Sequence, residues 1–372
     1  MNFDVKERVV LVTLAGSQIY GTATPTSDYD IKGVCIPPLE FYFGNKVFEG
    51  VDDKQVITDL VKNIVLKDDF AKMSASGIEG TVYELRKFVK LAADCNPNIL
   101  DVLFCREEDV LFQDDVGELL RRKRDMFLSK KALYTFRGYA IAQLKRIKSH
   151  KKWLLEPADV LPTREQFGLK PVPTIDTNQL QTAMAAITKK VDGWEPNLDG
   201  LDEAERIRIM EHLATSLVEM SIAKSDRFQA AGRLIGYEEN FLKMLEQERA
   251  YNEAVKQHHS YKFWESDRNE TRAALEKHFG YDTKHAAHLV RLMRMCEELL
   301  TTGKVNVFRA DAEELLAIRN GAWSYGELIE YAERMDSELI ATAAKSSLPR
   351  EPDRVAIDKL LVELIEARFA DE

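Results

Sequence analysis

Residues 9–37, VVLVTLAGSQIYGTATPTSDYDIKGVCIP, decide the fold of the N-terminal part of this chain. The segment begins with a run rich in β-branched residues that ends at Gly16-Ser17, and such a run predicts a strand. After Asp30, the string IKGVCIP alternates apolar and polar residues and predicts a second strand. The intervening string YGTATPTSDYD contains glycine, proline and several hydroxyl residues, which predict a loop. We therefore expect two strands joined by a loop that ends at Asp28-Tyr29-Asp30.

The pair Asp28 and Asp30 is the first candidate for chemistry. On an extended segment, side chains two residues apart point to the same side, so both carboxylates can face one cation. Hard divalent cations prefer oxygen ligands, and Mg²⁺ typically uses one or two carboxylates together with substrate phosphates. Taken alone, Asp-x-Asp is also common in solvated turns. The functional interpretation predicts that Asp28 and Asp30 are catalytic residues that bind Mg²⁺ or Mn²⁺.

Gly16 and Ser17 are the second part of the candidate site. Backbone amides at a glycine-containing turn, together with a hydroxyl group, can bind phosphate oxygens. Ten residues separate Ser17 from Asp28. A strand that ends in Gly-Ser, followed at this distance by Asp-x-Asp at the start of another strand, is much rarer than either motif alone. We therefore predict that Gly16 and Ser17 bind the phosphates of a nucleotide beside the metal site.

This combination resembles the signature of the DNA polymerase beta nucleotidyltransferase superfamily, in which a hydrophobic strand and Gly-Ser precede Asp-x-Asp by about this interval. Later strings narrow the resemblance: EGTVYELRKFVKLAADCNPNILDVLF, FRGYAIAQLKRIKSHKKWL, GYDTKHAAHLVRLMRM and FRADAEELLAIRNGAWSY. Together they are similar to the predicted nucleotidyltransferases that include the RNA-ligase-associated (RlaP-like) group. The resemblance extends from about residue 10 to residue 365, and the part near 160–280 is least similar.

The resemblance implies a third carboxylate on a neighbouring strand, which helps to bind the metal ion that activates the attacking hydroxyl group. Glu79, in the string EGTVYELRKF, is our candidate for this catalytic and metal-binding role. It departs from the family pattern, which has aspartate at the start of the strand, and the longer side chain changes the ligand geometry. Glu84 and Asp68 are the alternatives, and each of these acids can also be an ordinary exposed side chain.

A cationic segment from Leu119 to Trp153 opposes the net charge of −10 that the whole chain carries. It contains twelve lysine and arginine residues and one aspartate. Such a run is commonly a solvated helix face, but beside a nucleotide site it can bind a triphosphate or an RNA backbone. The candidates for phosphate contacts are Arg137, Lys145, Arg146, Lys148 and Lys152. The aromatic residues between them, which suit either base stacking or the core, are Tyr134, Phe136, Tyr139 and Trp153.

The string GYDTKHAAHLVRLMRM predicts a helix with an apolar stripe and a polar face. The polar face contains Lys284, His288 and Arg291, and we predict that Lys284 and His288 bind the triphosphate. His285 and His288 stand three residues apart, but without an acidic third ligand this spacing rarely makes a transition-metal site. The family-like string AIRNGAWSY adds two further candidates, Arg319 and Trp323, although a structural turn explains Asn320-Gly321 equally well.

The distribution of these motifs predicts an α+β protein of two or three domains in 372 residues. Residues 1–112 form the predicted nucleotidyltransferase domain, a mixed sheet with flanking helices like that of polymerase beta. Residues 113–372 form a large α-helical domain for nucleotide and acceptor binding, with a proline-rich connector near 156–178. Amphipathic periodicity predicts helices over 115–153, 200–224, 226–257, 267–278 and 284–301, and a last short helix after 349–353.

The composition, with 45% hydrophobic and 31% charged residues, is that of a soluble globular protein. No apolar run approaches the roughly 18 residues of a membrane-spanning helix, so we expect no membrane partner. The four cysteines lack CxxC spacing, which argues against a disulfide framework and a zinc cluster. The N-terminus lacks the pattern of a secretory signal. We therefore expect a cytoplasmic protein.

The predicted activity is metal-dependent transfer of a nucleoside monophosphate from a nucleoside triphosphate to an acceptor hydroxyl group, with release of pyrophosphate. The cationic segment favours RNA as the acceptor. One alternative is transfer to a protein or a small molecule. Another is a nucleotide-binding regulator that has lost catalysis, for which the glutamate at position 79 is the sequence hint. The sequence leaves the acceptor, the preferred base and the oligomeric state open.

Overall fold

The computed structural model describes residues 3–173, 175–192, 224–266, 268 and 270–370. Its N-terminal part contains a five-stranded mixed sheet with the order β3-β4-β2-β1-β5. The strands are β1 Val9–Ala15, β2 Tyr29–Cys35, β3 Gly50–Val51, β4 Ile78–Glu84 and β5 Val110–Gln113. Strand β1 pairs antiparallel with both β2 and β5, β3 pairs antiparallel with β4, and β2 pairs parallel with β4. Both strands predicted on either side of the Gly-Ser and Asp-x-Asp motifs are confirmed.

Helices connect the strands and make up the described part of the chain beyond the sheet. Those of the first 122 residues are α1 Gly16–Tyr20, α2 Glu40–Phe43, α3 Lys54–Ile64, α4 Lys67–Ser76, α5 Leu85–Ala93, α6 Pro97–Phe104 and α7 Asp115–Arg122. The later ones are α8 Lys131–Leu155, α9 Thr177–Asp192, α10 Lys224–Ile235, α11 Glu239–Ser266, α12 Glu270–Phe279, α13 Thr283–Thr302, α14 Ala312–Arg319, α15 Tyr325–Lys345 and α16 Arg354–Phe369. The predicted α+β class is confirmed. Within the described ranges, no helix combines the length and the apolarity that crossing a membrane requires.

The sheet has a core on each face, which explains why β1, between β2 and β5, is almost wholly apolar. One face contributes Val10 and Val34 to a core that also contains apolar residues of α5 and α6. The other face contributes Val12 and Ile31 to a second core, to which Leu60 of α3 belongs. Ile31 and Val34 are three residues apart in β2, so the period of two puts them on opposite faces. Val10 and Val12 are two residues apart but enter different cores, and the register of β1 with β2 shifts between Val9 and Leu11. This packing fixes the ends of β1 and β2, where the candidate motifs lie.

Side-chain caps set the starts of several helices. Asn96 accepts a hydrogen bond from the backbone N of Asn98 at 3.0 Å, with Pro97 at the first helical position. This is the start that Asn96-Pro97 predicts. Asp282 accepts from the backbone N of His285 at 3.0 Å and caps α13. These caps satisfy amide groups that have no partner within the helix.

The described chain separates into two compact units, residues 1–151 with 271–372, and residues 152–270. The first unit holds the sheet and helices α12 to α16 for almost their whole length. The second holds the end of α8, helices α9 to α11 and a 3₁₀ turn at Arg164–Phe167. The predicted boundary between residues 112 and 113 follows the change from sheet to helices, and it stays a prediction.

Some helix boundaries differ from the periodicity. The helix predicted over 115–153 is two helices, because α7 ends at Arg122 and a 3₁₀ turn at Arg124–Phe127 precedes α8. The helix predicted over 226–257 is interrupted at Gly236, whose φ of 96° a helix cannot contain. Helices α9, α14 and α15 were not among the predicted elements. The helix predicted over 200–224 lies outside the described residues except for its last residue.

Candidate active site

The site lies where β1 ends and β2 begins, and backbone pairing brings its parts together. Ala15, the last residue of β1, pairs with Asp30 in the antiparallel ladder. Asp30 also pairs with Glu79 in the parallel ladder between β2 and β4. Adjacent strands lie about 4.8 Å apart, and directly paired residues project to the same face. The ladders therefore place Ala15, Asp30 and Glu79 along one line across three neighbouring strands, and Gly16 directly follows Ala15.

The loop before β2 positions Asp28 beside the same line. The Gln18 side chain on α1 donates a hydrogen bond from Nε2 to the backbone oxygen of Asp28, at 3.3 Å. The next residue, Tyr29, donates from its backbone N to the carbonyl oxygen of Gly77 at 2.9 Å. These two contacts hold the Asp-x-Asp segment between the turn after β1 and the start of β4. The loop is thus tied to both neighbouring elements.

Gly16 approaches Asp30 so closely that no side chain fits between them. Its φ is 61°, in the left-handed region that favours glycine. A Cβ atom at this position would lie 1.9 Å from Oδ2 of Asp30 and 2.9 Å from its Cγ. The turn after β1 is therefore in direct contact with a carboxylate of the Asp-x-Asp pair. This contact gives a structural reason for the glycine of the Gly-Ser motif.

The carboxyl group of Asp30 is the electrostatic centre of the site. Burial raises its pKa, and the negative charges of Asp28 and Glu79 raise it further, while Lys32 and Lys284 act in the opposite direction. Asp30 is half-buried, whereas Asp28 and Glu79 are exposed. Three acids and two lysines thus share one region. The repulsion among the acids is the kind of electrostatic cost that a bound cation removes.

The donor chemistry of the three acids fits Mg²⁺ or Mn²⁺, which prefer carboxylate oxygens and leave positions for phosphate and water. Their side-chain oxygens do not all lie within 4.8 Å of one another. Binding one ion with all three therefore requires side-chain rotation. Exposed Asp28 and Glu79 have the freedom to make this rotation, while half-buried Asp30, held against Gly16, is the fixed member.

The two alternatives to Glu79 lie elsewhere. Glu84 is at the other end of β4, paired with Cys35, and its side chain is buried. It caps α5 by accepting from the backbone N of Lys87 at 3.1 Å, and it pairs with Arg86 at 3.0 Å. Asp68 is exposed in the first turn of α4, whereas β4 follows the C-terminal end of that helix. The sheet thus places Glu79, and neither alternative, next to Asp30.

Lys32 is a member of the site that the sequence argument missed. It stands two residues after Asp30 in β2, so the alternation of the strand puts both side chains on one face. Its Nζ atom donates to the Thr81 hydroxyl at 3.2 Å and lies 5.6 Å from the ring centroid of Tyr83. The period of two, extended one step beyond Asp-x-Asp, would have identified it.

Helix α13 brings Lys284 to the site from a distant part of the sequence. Lys284 is exposed in the first turn, and its charge acts on Asp30. His288, one turn later, stays neutral, because burial and the neighbouring charges, with Arg291 foremost, lower its pKa to about 2. It can therefore offer a neutral N–H group but no positive charge. Among the charges that lower this pKa is that of Arg146 on α8.

Arg291 has a structural position on the same helix. Its guanidinium carbon lies 3.7 Å from the ring centroid of Tyr20, and Nη1 is 3.9 Å from Oδ2 of Asp101. The Tyr20 hydroxyl donates to the same Oδ2 atom. Arg291 and Asp101 are both buried. Arg291 thus connects α13 to the end of α1, four residues after Gly16.

The cationic segment divides into paired and exposed side chains. Arg137 forms a two-point ion pair with Asp336, whose Nη2–Oδ2 distance is 2.7 Å. Lys145, Arg146 and Lys148 are exposed on α8. Lys145 and Lys148 project away from the buried stripe of that helix, whereas Arg146 is the one that influences His288. Lys152 is also exposed and belongs to the second unit.

Most aromatic residues of this segment have structural partners, so their availability for base stacking is small. Phe136 is buried in the core, and the Tyr139 hydroxyl accepts from Nδ2 of Asn96 at 3.0 Å. Trp153 packs against Trp264 within the second unit, with ring centroids 5.4 Å apart. Tyr134 is 46% exposed and is the member of the described set that remains accessible to a base.

The candidates Arg319 and Trp323 flank a turn with a packing role. Gly321 has a φ of 88°, and a Cβ atom there would lie 2.1 Å from the Phe279 ring. The carbonyl oxygen of Trp323 accepts from the Tyr281 hydroxyl at 2.6 Å. The structural explanation of Asn320-Gly321 therefore accounts for this string.

Comparisons with known proteins agree with the arrangement at the end of β1. Residues 2–157 match the model of a family described as the RNA repair pathway DNA polymerase beta family, RlaP. An uncharacterized 38.9 kDa protein from the nrdC–mobD intergenic region of Enterobacteria phage T4 is 29% identical over 163 residues. That alignment covers 43% of this chain and 45% of the phage protein, so the chain spans less than half the length of this curated relative. No solved structure matches the chain.

The family match contains the whole sheet, the Gly-Ser turn, the Asp-x-Asp pair and Glu79, and it extends through α8. It leaves out Lys284 and the rest of α13. The match therefore contains the Gly-Ser, Asp-x-Asp and Glu79 motifs of the resemblance, whereas the strings at 280–295 and 308–325 lie outside it. Residues 2–157 are thus similar to a polymerase beta-like nucleotidyltransferase family.

Proposed function

We propose that this protein transfers a nucleoside monophosphate from a nucleoside triphosphate to a hydroxyl group of RNA, with release of pyrophosphate. The observation that carries the proposal is the contact between the Gly16 turn and Asp30, with Asp28 and Glu79 acting on the same carboxyl group. A phosphate-binding turn in contact with a carboxylate cluster serves a reaction in which a metal-bound triphosphate is attacked.

Asp28, Asp30 and Glu79 are the proposed catalytic residues and metal ligands. Bound there, Mg²⁺ or Mn²⁺ would stabilise the negative charge of the entering and leaving oxygens. Asp30 is the fixed member, because Gly16 and the ladders to β1 and β4 hold it. The rigid attachment of this residue favours catalysis, since positioning of the reacting groups accounts for several kcal/mol of a typical rate enhancement.

In this proposal, residues of the turn after β1 and residues of α13 contact the nucleotide. The backbone amides of the Gly16-Ser17 turn and the Ser17 hydroxyl bind the β- and γ-phosphates. Lys284 acts on Asp30 from α13 and suits a contact with the triphosphate. His288 joins as a neutral hydrogen-bond donor, because its lowered pKa excludes the imidazolium form at physiological pH.

The RNA acceptor is supported by two observations. The family that matches residues 2–157 is described as belonging to an RNA repair pathway. Helix α8 also exposes Lys145 and Lys148 on one side, a pattern that suits a polyphosphate backbone. In this proposal Lys145, Lys148 and Lys152 bind phosphates of the nucleotide or of the RNA.

The proposal is tested by incubating the purified protein with each of four radiolabelled nucleoside triphosphates, Mg²⁺ or Mn²⁺, and total cellular RNA. We expect label in RNA and metal-dependent release of pyrophosphate. Label in a co-purifying protein or a small molecule would instead establish the alternative acceptors. Binding of a triphosphate without any pyrophosphate release would indicate a regulator that has lost catalysis.

Two variants test whether the activity measured in this assay requires Asp28 and Asp30. Asp28→Asn and Asp30→Asn preserve the shape of each side chain but remove the charge that holds the ion. We expect each to fold normally and to lower the rate by at least about 10²-fold. Near-normal turnover of both variants would exclude the carboxylate pair as the metal site.

A further inference from the structure

A second cluster of potential ligands lies on the helices of the first unit. It consists of His150 on α8, Glu276 on α12, and Asp282 and His285 at the start of α13. The nearest ligand atoms of His150, Asp282 and His285 all lie within 4.8 Å of one another. Nothing in the proposed transfer reaction uses these side chains.

The distances in this cluster suit a metal ion. Oδ2 of Asp282 lies 3.1 Å from Nδ1 of His150 and 3.5 Å from Nε2 of His285. Oε1 of Glu276 lies 3.7 Å from the same Nδ1 atom. Four ligands about 2.0–2.2 Å from a tetrahedral zinc ion stand about 3.3–3.6 Å from one another. The spacings of Asp282 to His150 and to His285 are close to the edges of such a tetrahedron. Glu276 lies outside the set of ligand atoms that are within 4.8 Å of one another, so its side chain must rotate to become the fourth ligand.

Asp282 divides its two oxygens between two roles. Its Oδ1 atom accepts the hydrogen bond from the backbone N of His285 that caps α13. Its Oδ2 atom is the one that faces both imidazole rings. The cap therefore aims the second oxygen at the histidines and fixes its position. Prior orientation of a ligand by a hydrogen bond is a common property of protein metal sites.

Burial and charge also favour a cation. The side chains of Asp282 and Glu276 are each 1% exposed, and those of His150 and His285 are 12% and 14% exposed. The partial exposure of the histidines leaves a route from solvent. Two carboxylates and two neutral imidazoles around a divalent ion make a site of zero net charge.

We propose that His150, Asp282, His285 and Glu276 form a structural site for a divalent transition metal, with Zn²⁺ as the best match. Imidazole nitrogen ligands favour zinc over Mg²⁺, and two nitrogens with two oxygens suit tetrahedral coordination. The ion joins α8 and α12 to the first turn of α13. The proposal does not depend on the nucleotidyl transfer reaction, because its ligands are distinct from Asp28, Asp30 and Glu79.

The test measures zinc binding to the full-length protein after chelator treatment, with excess Mg²⁺ present to occupy the carboxylate site. We expect one tightly bound zinc per chain and a higher melting temperature with zinc. Cobalt in place of zinc should give the visible absorption bands of four-coordinate Co²⁺. A folded wild-type protein that binds no zinc would overturn the proposal and would favour an ion pair between protonated His150 and the two acids.

Variants distinguish this site from other zinc-binding groups. His150→Ala and His285→Ala should each weaken zinc binding by at least about 100-fold, beyond the effect of losing an outer partner. Asp282→Asn keeps an oxygen for the cap of α13 but removes the ligand charge, so it should lose zinc while the circular dichroism of the metal-free protein stays unchanged. His259→Ala, which removes an exposed imidazole on α11, is the matched control. Zinc binding that survives in all three cluster variants, or that is lost in Asp30→Asn, would refute the site.

Discussion

At the scale of single residues, the turn after β1 requires glycine at position 16 because there is no space for a side chain. A methyl group there would collide with Oδ2 of Asp30, and the φ of 61° adds a conformational cost of about 1–2 kcal/mol for any other residue. We therefore expect Gly16→Ala to displace Asp30 and to lower the transfer rate by about 10²-fold, since a displacement of about 1 Å can have such an effect. Single-turnover rates at saturating nucleotide measure this loss.

The matched control for that substitution is Gly138→Ala in α8. Apart from the two adjacent residues and the nearby backbone of the same helix, no atom lies within 4 Å of the methyl group that it adds. We expect it to raise the unfolding free energy by about 0.5–1 kcal/mol, because alanine is favoured over glycine within a helix. Its transfer rate should be unchanged. Equal rates for both variants would show that the close contact between Gly16 and Asp30 is irrelevant to catalysis.

Glu79 and Glu84 stand at opposite ends of β4 and offer a comparison within one strand. Glu79→Gln should reduce the chemical step while changing the unfolding free energy by no more than about 0.5 kcal/mol, as is usual for an exposed site. Glu84→Gln should lower stability by about 1 kcal/mol, because it weakens the cap of α5 and the pair with Arg86. Rates per folded molecule and denaturant unfolding separate the two effects.

A further variant tests whether position 79 needs only a carboxylate. Glu79→Asp shortens the side chain but keeps its charge, so it should retain substantial activity if Glu79 is a metal ligand. Full activity in Glu79→Gln together with loss in Glu84→Gln would transfer the role to Glu84, against the pairing of Asp30 with Glu79 in the ladder.

Short-range spacing predicted part of the candidate site. Asp28 and Asp30 were identified as a pair from their spacing of two residues, although only Asp30 lies in β2 and Asp28 is in the loop before it. Glu79 came from a resemblance, and its register with Asp30 depends on a parallel pairing that single-sequence periodicity does not specify. The effect of Lys284 on Asp30 depends on tertiary packing across more than 250 residues. The acidic partner of His285 was overlooked, although Asp282 stands three residues before it.

At the scale of elements, α13 connects the helical part of the first unit to the turn after β1. Arg291 lies over the Tyr20 ring and near Asp101, and the Tyr20 hydroxyl donates to Asp101. Burial raises the pKa of Asp101, while Arg291 acts against this rise. The arginine thus compensates a buried carboxyl group beside the helix that Gly16 begins. The position of Lys284 follows from the same packing of α13.

A double-mutant cycle tests this connection. Arg291→Met removes the charge but keeps apolar volume, and we expect a loss of about 3–5 kcal/mol of unfolding free energy because Asp101 loses its buried partner. Adding Asp101→Asn should recover part of that loss, which denaturant unfolding of the wild type, both single variants and the double variant measures. Arg334→Met, in an exposed pair with Glu338, is the control and should change stability by less than about 1 kcal/mol. Strict additivity would show that Arg291 and Asp101 act independently.

Elements with strong local signals were predicted well, and interrupted helices were not. The apolar spacing at Leu85, Phe88 and Val89 coincides with the buried face of α5. Amphipathic periodicity does not detect the break between Arg122 and Lys131. The apolar residues of the 3₁₀ turn also pack into the core, so the apolar pattern continues across the break. A single glycine, Gly236, ends α10 through its positive φ, which periodicity also cannot detect.

At the scale of the whole molecule, the charge distribution matters more than the net charge of −10. Several cationic side chains of the 119–153 segment form hydrogen bonds or ion pairs with other residues of the protein. Arg121 is buried and donates to the carbonyl oxygen of Cys105 at 2.8 Å, and Arg137 pairs with Asp336. Lys145 and Lys148 remain exposed on one side of α8. An RNA acceptor should therefore depend on a small set of exposed lysines, and not on the segment as a whole.

Reversal of both charges tests this dependence. We expect the double variant Lys145→Glu/Lys148→Glu to weaken RNA binding strongly while it changes nucleotide binding little. Each lost phosphate contact should reduce the slope of log K against log salt concentration by about 0.7–0.9, because fewer counterions are released on binding. The measurement is a salt titration of RNA affinity by fluorescence anisotropy, with nucleotide affinity determined under the same conditions. The control is Lys189→Glu/Lys190→Glu, which changes the net charge equally at two exposed lysines of α9. A smaller slope in the α8 variant alone would locate the RNA contacts on α8, whereas equal slopes in wild type and both variants would exclude these lysines and favour a protein or small-molecule acceptor.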